Sequence, residues 1–178
     1  MKNDIERLVR ILPPPESPKN NKGDWHVVEA SLGSSLPADY KQFTEKYGSV
    51  KICNWLVIHT AFPWDEGFKE FLLTLNQQYD QVVNGRDNIP FADFPTHGGL
   101  LPFGGTDNGD IVSWITGGPP DEWGVFFWEF PGLKTIELKS LSFSEFLVEC
   151  FDQHSTVSPG LAPWAFFCPE QRGLVVTT

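Results

Sequence analysis

Several features typical of membrane and secreted proteins are missing from this sequence. No stretch reaches the roughly 18 consecutive apolar residues of a membrane-spanning helix, and the first residues, MKNDIERLVRIL, are charged, unlike a signal peptide. Only three cysteines occur, Cys53, Cys150 and Cys168, and no C-x-x-C pair is present. We therefore expect reduced cysteines and a cytoplasmic location.

Basic side chains are also scarce, with 13 Lys and Arg against 23 Asp and Glu and a net charge of −10. None occurs between Arg86 and Lys134. The acids in that interval are Asp87, Asp93, Asp107, Asp110, Asp121, Glu122 and Glu129. Direct binding of nucleic acid needs Lys and Arg to neutralise phosphates, so this balance argues against it. An acidic surface suits a basic protein partner, although acidity also serves solubility alone.

The local motifs of common catalytic sites are absent as well. Neither G-x-S-x-G nor H-E-x-x-H occurs. Cys150 and His154 are four residues apart in a predicted helix, but no spacing supplies the further ligands that zinc needs. We predict no catalytic residue, no metal site and no cofactor. Local motifs do not reveal a catalytic site that is assembled from residues far apart in the sequence.

The segment LLPFGGTDNGDIVSW, residues 100–114, is the most suggestive of chemistry. It does not fit the calcium loop of an EF-hand, because Gly109 stands where the second ligand belongs. It does not fit a Walker A loop, because Asp110 replaces the lysine. Asp107 and Asp110 in one tight turn are badly placed for a pair of catalytic carboxylates. We expect a β-hairpin turn in which Asn108 and Gly109 supply positive φ angles.

Hydrophobic periodicity predicts both helices and strands. Helical spacing is clearest over 67–83, and Ser142 with Glu145 forms the S-x-x-E pattern of a capping box. Asp24 is the predicted N-cap of an earlier helix and Gly33 its predicted end. In the helix after that one, the spacing predicts an aromatic core stripe of Tyr40, Phe43 and Tyr47.

One strand is predicted over 50–60, and further strand-like runs follow between 100 and 141. Successive strands with short turns pair antiparallel. The fold class is therefore α+β, a single domain with a central, mostly antiparallel sheet and flanking helices.

Composition divides the chain into three parts. Residues 1–23 hold a short helix and a proline-rich linker and form an appendage, residues 24–154 form the α+β domain, and residues 155–178 form a tail that packs back on it.

Two places combine tryptophan with two acids, at 64–66 and 121–123. A tryptophan beside carboxylates can stack on a sugar ring, or it can hold Lys or Arg by cation–π contact and ion pairing. A half-buried tryptophan with solvated acidic neighbours is the structural alternative.

Three blocks of the sequence form a recognisable series. The first is LGSSLPADYKQFTEKYG, preceded by Trp25 and Glu29. The second, at 98–130, is a G-L-L-P-aromatic-G run followed by T-D-N-G-D and a tryptophan, and the third is SFSEFL at 142–147. In this order they resemble the opening motif, the second block and the closing helix of the SUKH superfamily, which includes fungal regulators of cell-wall assembly of the SMI/KNR type and many bacterial toxin-immunity proteins.

The resemblance implies an α+β fold, no catalysis and a role in binding other proteins. In bacteria this usually means neutralising a toxin, often a nuclease. The leading hypothesis is thus an immunity-type protein whose partner is a basic toxin domain. The alternatives are a regulatory scaffold of the cell-wall or glucan-synthesis type and a carbohydrate-binding module. No membrane is expected among the partners, and the oligomeric state stays open. The predicted partner-binding residues are Trp64, Asp65, Glu66, Asp107, Asp110, Asp121, Glu122 and Trp123.

Overall fold

The computed structural model describes residues 4–82, 90–130, 134–152 and 175–177. The helices are α1 (Ile5–Ile11), α2 (Trp25–Leu32), α3 (Ala38–Tyr47), α4 (Phe68–Val82) and α5 (Phe143–Phe151). The strands are β1 (Val50–Ile52), β2 (Leu56–Ile58), β3 (Gly99–Thr106), β4 (Ile111–Thr116), β5 (Gly124–Glu129), β6 (Lys134–Leu138) and β7 (Val175–Thr177). A single 3-10 turn, Pro120–Glu122, precedes β5.

One sheet contains all of these strands in the order β6-β5-β4-β3-β2-β1-β7. Every pairing is antiparallel. From β2 to β6 each strand lies beside its neighbour in the chain, as short connections favour. The predicted α+β fold with a central antiparallel sheet and flanking helices is confirmed.

The predicted helix ends are confirmed by their capping interactions. The Asp24 side chain accepts a hydrogen bond from the His26 amide at 2.8 Å, and Gly33 ends α2 with φ 74°. At α5, the Ser142 hydroxyl accepts from the Glu145 amide while the Glu145 carboxylate accepts from the Ser142 amide. Each bond satisfies an amide that the helix itself leaves unpaired.

The prediction of one strand over 50–60 is wrong, because the segment folds into the β1–β2 hairpin. Cys53 and Asn54 form its turn with φ angles of 55° and 53°. Asparagine tolerates this left-handed region better than most residues. The apolar run on both sides of the turn hides the reversal from a reading of periodicity.

The main core lies between one face of the sheet and helices α3 and α5. The predicted aromatic stripe of α3, Tyr40, Phe43 and Tyr47, is fully buried there. Tyr40 packs edge-on against Trp114 of β4 at 4.9 Å and against Phe143 of α5 at 5.4 Å. Because side chains alternate along β5, its other residues form a smaller cluster with β3 on the opposite face.

The N-terminal helix, expected to be an appendage, is packed into the core. Ile5 and Leu8 are buried, and the Tyr47 hydroxyl donates to the Leu12 carbonyl at 2.6 Å. Its first turn also meets α5, where the Asp4 amide donates to the Ser144 hydroxyl at 2.9 Å. Residues 4–12 therefore belong to the same packed unit as the sheet.

A buried carboxylate joins α3 to the beginning of α5. Asp39 is 4% exposed, and its Oδ2 accepts hydrogen bonds from the Ser144 amide and the Ser144 hydroxyl, each at 2.8 Å. Ser144 thus connects Asp39 in α3 with Asp4 at the start of α1.

The predicted loop at 84–89 and the tail at 155–174 lie outside the described residues. Residues 175–177 form β7, which pairs with β1. The division of the chain at residues 24 and 154 stays a prediction.

Candidate partner-binding surface

The predicted binding residues lie at two opposite ends of the sheet. The turn end holds the β1–β2 and β3–β4 turns, with Asp107 and Asp110. The loop end holds the segments that follow β2 and β4, with 64–66 and 121–123. The six residues of β4 lie between the two ends and span about 20 Å at the usual rise per residue. The eight residues therefore do not form one patch.

Asp110 holds the turn end together. Its side chain is buried, at 5% exposure. Its Oδ2 accepts from the Thr106 hydroxyl at 2.6 Å, and its Oδ1 accepts from the Phe130 amide at 2.9 Å. Both oxygens thus bind within the fold, one across the β3–β4 turn and one to the end of β5, and the side chain is not available to a partner.

Asp107 is exposed at the same turn but is already paired. Its Oδ2 lies 2.6 Å from Nζ of Lys51 in β1, and its amide donates to the Trp55 carbonyl at 3.2 Å. The predicted hairpin turn is confirmed, with Gly109 at φ 93°. Asn108 does not share that positive φ. Because Asp107 and Asp110 bind different partners, they do not form a carboxylate pair.

Trp64 is the most exposed aromatic residue in the described part of the chain. Its side chain is 46% exposed and stacks on Phe71 of α4, with ring centres 4.7 Å apart and planes 5° apart. One face of the indole is therefore fixed and the other faces solvent. The Ser31 hydroxyl donates to the Glu66 carbonyl at 2.9 Å and so holds the Trp64 loop against α2.

The acids beside Trp64 are not used by the fold. Asp65 is half-buried and Glu66 is exposed. Within the part of the chain that the structure describes, neither carboxylate forms an ion pair or accepts a hydrogen bond. Their charge is therefore open to a partner.

Behind Phe71 lies His59, which the sequence did not single out for binding. Its ring packs edge-on against Phe71 at 5.6 Å, and its Nε2 is buried without a hydrogen-bond partner among the described residues. Burial lowers the pKa of His59 to about 4, because the charged form would lose its hydration. The imidazole is thus neutral at physiological pH and supports the Phe71–Trp64 stack.

The three residues of the second group at the loop end, 121–123, have different roles. The Asp121 Oδ1 accepts from the Ala38 amide at 2.7 Å and so caps α3, whose own N-cap residue, Pro37, offers no side-chain acceptor. Trp123 is only 5% exposed, and its indole nitrogen donates to the Gly118 carbonyl at 3.2 Å. Trp123 is therefore a packing residue, and Glu122 is the exposed acid of this group that forms no ion pair within the described residues.

A groove of 520 Å³ lies next to Glu122. One wall is the segment 119–123, and the other is the segment 139–142, which joins β6 to α5. Trp123 and Leu141 give the groove apolar surface, while the carboxylates of Asp121 and Glu122 lie on one side.

The described residues contain no group of three or more His, Cys, Asp and Glu side chains placed to hold a metal ion. Cys150 is buried and free, and burial raises the pKa of its thiol, while His154 lies outside the described residues. Cys53 is disulfide-bonded, in contrast to the expectation of reduced cysteines. Among the described residues, no helix has the length and apolar character needed to cross a membrane.

Comparison with known proteins adds one match. Residues 22–147 match the SUKH_6 family, described as SMI1-KNR4 cell-wall. No curated protein and no solved structure matches the chain. The matched segment covers most of the chain, from the residues before α2 into α5. Membership supports a non-catalytic role, either like that of the SMI1/KNR4 proteins or of the immunity type. The three sequence blocks, the antiparallel sheet with its flanking helices and this match agree: the chain belongs to the SUKH superfamily.

Proposed function

We propose that this chain is an immunity-type protein that binds a cationic toxin domain and neutralises it. The binding region is the loop-end surface, defined as Trp64, Asp65, Glu66, Asp121 and Glu122. The observation that supports the proposal most directly is the exposed Trp64 ring, stacked on Phe71 beside two carboxylates that form no ion pair within the described residues.

The chemistry of this surface favours a basic partner. The carboxylates of Asp65, Glu66 and Glu122 form no ion pair within the described residues. The net charge of −10 attracts a cationic domain over distances set by ionic strength. Nucleases fit this description, because they bind phosphates through Lys and Arg.

Trp64 provides an anchoring contact for the partner, which buried area and net charge alone do not provide. A Lys or Arg side chain on its free face would gain cation–π attraction while the neighbouring carboxylates form ion pairs with it. Tryptophan is enriched among residues that dominate binding energy. A toxin side chain engaged in this way is withdrawn from its own substrate, which gives neutralisation without catalysis.

The experiment measures binding of the full chain to a toxin domain encoded beside its gene, by calorimetry. The triple variant Asp65→Lys, Glu66→Lys, Glu122→Lys should bind at least about tenfold more weakly. The matched control places the same charge change on exposed acids elsewhere, at Glu16, Glu45 and Asp107. This control variant should lose affinity only a few-fold, because only the long-range attraction from the net charge is reduced. Equal losses in the two variants would show that the loop end is not the contact surface.

The family description also favours a second candidate function, a regulatory scaffold for cell-wall assembly. A neighbouring gene that encodes no toxin, together with capture of a component of cell-wall synthesis by the purified chain, would support it. The exposed Trp64 beside carboxylates also suits a sugar ring, and a glycan array without binders would remove the carbohydrate-binding alternative.

A further inference from the structure

No strand among the described residues pairs with the outer edge of β6. β6 is the terminal strand in the sheet order, and among the described residues it pairs only with β5. Its five residues, KTIEL, contain neither proline nor a bulge, and Lys134, Thr135 and Glu137 are exposed. Such an edge presents backbone N–H and C=O groups with which an extended chain can pair.

The groove described above begins where β6 ends. Its wall at 139–142 follows directly after Leu138, so that a chain lying along β6 would continue into the groove. This continuity distinguishes the β6 edge from an ordinary exposed strand.

Charges in the groove favour a basic side chain. The only cation on its walls, Lys139, is already engaged, since its Nζ lies 2.7 Å from the Glu137 carboxylate and 5.9 Å from the centre of the Phe91 ring. The carboxylate of Glu122 has no such partner in the described part of the chain, and Asp121 uses only Oδ1 to cap α3. The groove is therefore acidic in effect.

Its apolar surface completes the match to arginine or lysine. Trp123 and Leu141 can cover the methylene groups of a long basic side chain, whose charged end then reaches Asp121 and Glu122. A guanidinium has five N–H donors and can therefore bind both carboxylates at the same time.

We propose that a partner protein docks here as an eighth strand, antiparallel to β6, with a basic side chain at its N-terminal end in the groove. Antiparallel addition is the stronger pairing and places the N-terminus of the added strand beside the C-terminal end of β6. A second copy of this chain is a poorer occupant, since two copies with a net charge of −10 repel each other. The inference deepens the proposed protein-binding function and rests on it.

The first test uses synthetic peptides and the full chain, without any toxin. The probe has one arginine followed by alternating threonine and valine over eight residues, and its control has glutamine in place of the arginine. We expect the arginine peptide to bind about tenfold more tightly by fluorescence anisotropy. Hydrogen exchange of the backbone amides of residues 134–138 should slow only when the arginine peptide is bound. Binding without protection of these amides, or no binding at millimolar concentration, would overturn the inference.

Variants of the chain distinguish the contribution of the groove to peptide binding from that of the β6 edge. Glu122→Gln should weaken binding of the arginine peptide about tenfold and leave the glutamine peptide unchanged, whereas Asp107→Asn at the far end should alter neither. Thr135→Pro and Ile136→Pro form a second pair. Backbone N–H groups alternate in direction along a strand, so one proline removes an outward donor and the other a bond to β5.

The proline variant that keeps the wild-type melting temperature should lose peptide binding. A fully retained affinity in that variant would mean that the edge is not used. Sedimentation that shows dimers through β6 would assign the edge to a second copy instead. Since no toxin is present, these outcomes are independent of the charge-reversal experiment on the proposed function.

Discussion

The two ends of the sheet have similar acidic residues but use them in different ways. At the turn end, Asp110 is buried with both oxygens bonded and Asp107 is paired with Lys51. At the loop end, Asp65, Glu66 and Glu122 bind nothing within the described residues. A carboxylate that is satisfied by the fold contributes to stability, whereas one left in solvent has its charge available to a partner. The partner-binding residues are therefore expected at the loop end.

The sharpest test of this comparison is Asp110→Ala. The substitution leaves the Phe130 amide and the Thr106 hydroxyl without their charged acceptor. Hydrogen bonds to a buried charged group are worth about 1.5–3 kcal/mol each, so we expect the free energy of unfolding to fall by about 3 kcal/mol. Urea denaturation measures the loss.

Asp107→Ala is the matched control at the same turn. Its ion pair with Lys51 is about half exposed on the Asp107 side, at 52%. Surface ion pairs contribute about 0–1 kcal/mol, so we expect a loss of that size. If the two variants were equally destabilised, the distinction between the buried Asp110 and the exposed Asp107 would be lost.

The second prediction concerns His59 at the loop end. Its pKa of about 4 in the folded chain lies below the ordinary value near 6.5, so the unfolded chain binds a proton between these values that the folded chain does not. The free energy of unfolding should therefore fall as the pH drops from about 6.5 to about 4, by at most about 1.4 kcal/mol per pH unit. Below that window the contribution of His59 becomes constant.

His59→Gln removes the contribution of His59 to the pH dependence of the free energy of unfolding, so this variant serves as the reference. Differential scanning calorimetry of both proteins between pH 7 and pH 4 isolates the histidine, because the carboxylates titrate in both. Wild type should lose stability more steeply than the variant. Parallel curves would mean that His59 is not kept neutral by the packing around Phe71.

The smallest expected effect separates two adjacent acids at the loop end. Asp121→Ala removes the hydrogen bond to the Ala38 amide at the start of α3, and loss of such a cap costs about 1 kcal/mol. Glu122→Ala removes an exposed side chain and should change stability by less than about 0.5 kcal/mol. Thermal melts measure both. A larger loss for Glu122→Ala than for Asp121→Ala would contradict the division of roles.

Local sequence signals predicted much of the fold. The capping box of Ser142 and Glu145, the stop at Gly33 and the aromatic stripe of α3 each depend on residues within a few positions of one another, and all are confirmed. The β1–β2 turn was missed because an apolar run continues on both sides of Cys53 and Asn54.

The candidate site was harder to predict because it depends on distance in space. The acid-rich stretch from residue 87 to residue 133 reads as one region, but antiparallel strands send successive connections to opposite ends of the sheet. Asp110 and Asp121 are close in sequence and lie at different ends. Burial of Asp110 and Trp123 depends on Thr106, Phe130 and Gly118, which no motif marks.

The contact between Asp39 and Ser144 has a consequence for the order of folding. It joins residues 105 positions apart, and the Asp4–Ser144 bond joins residues 140 apart. During synthesis on the ribosome, α1 and α3 are complete long before Ser144 leaves the exit tunnel, so their polar contacts cannot close until most of the chain has emerged. Closing contacts at such separations is slow. We therefore expect these contacts to form late, and a truncation before α5 removes Ser144 and leaves the Asp39 carboxylate without the amide and the hydroxyl that donate to it.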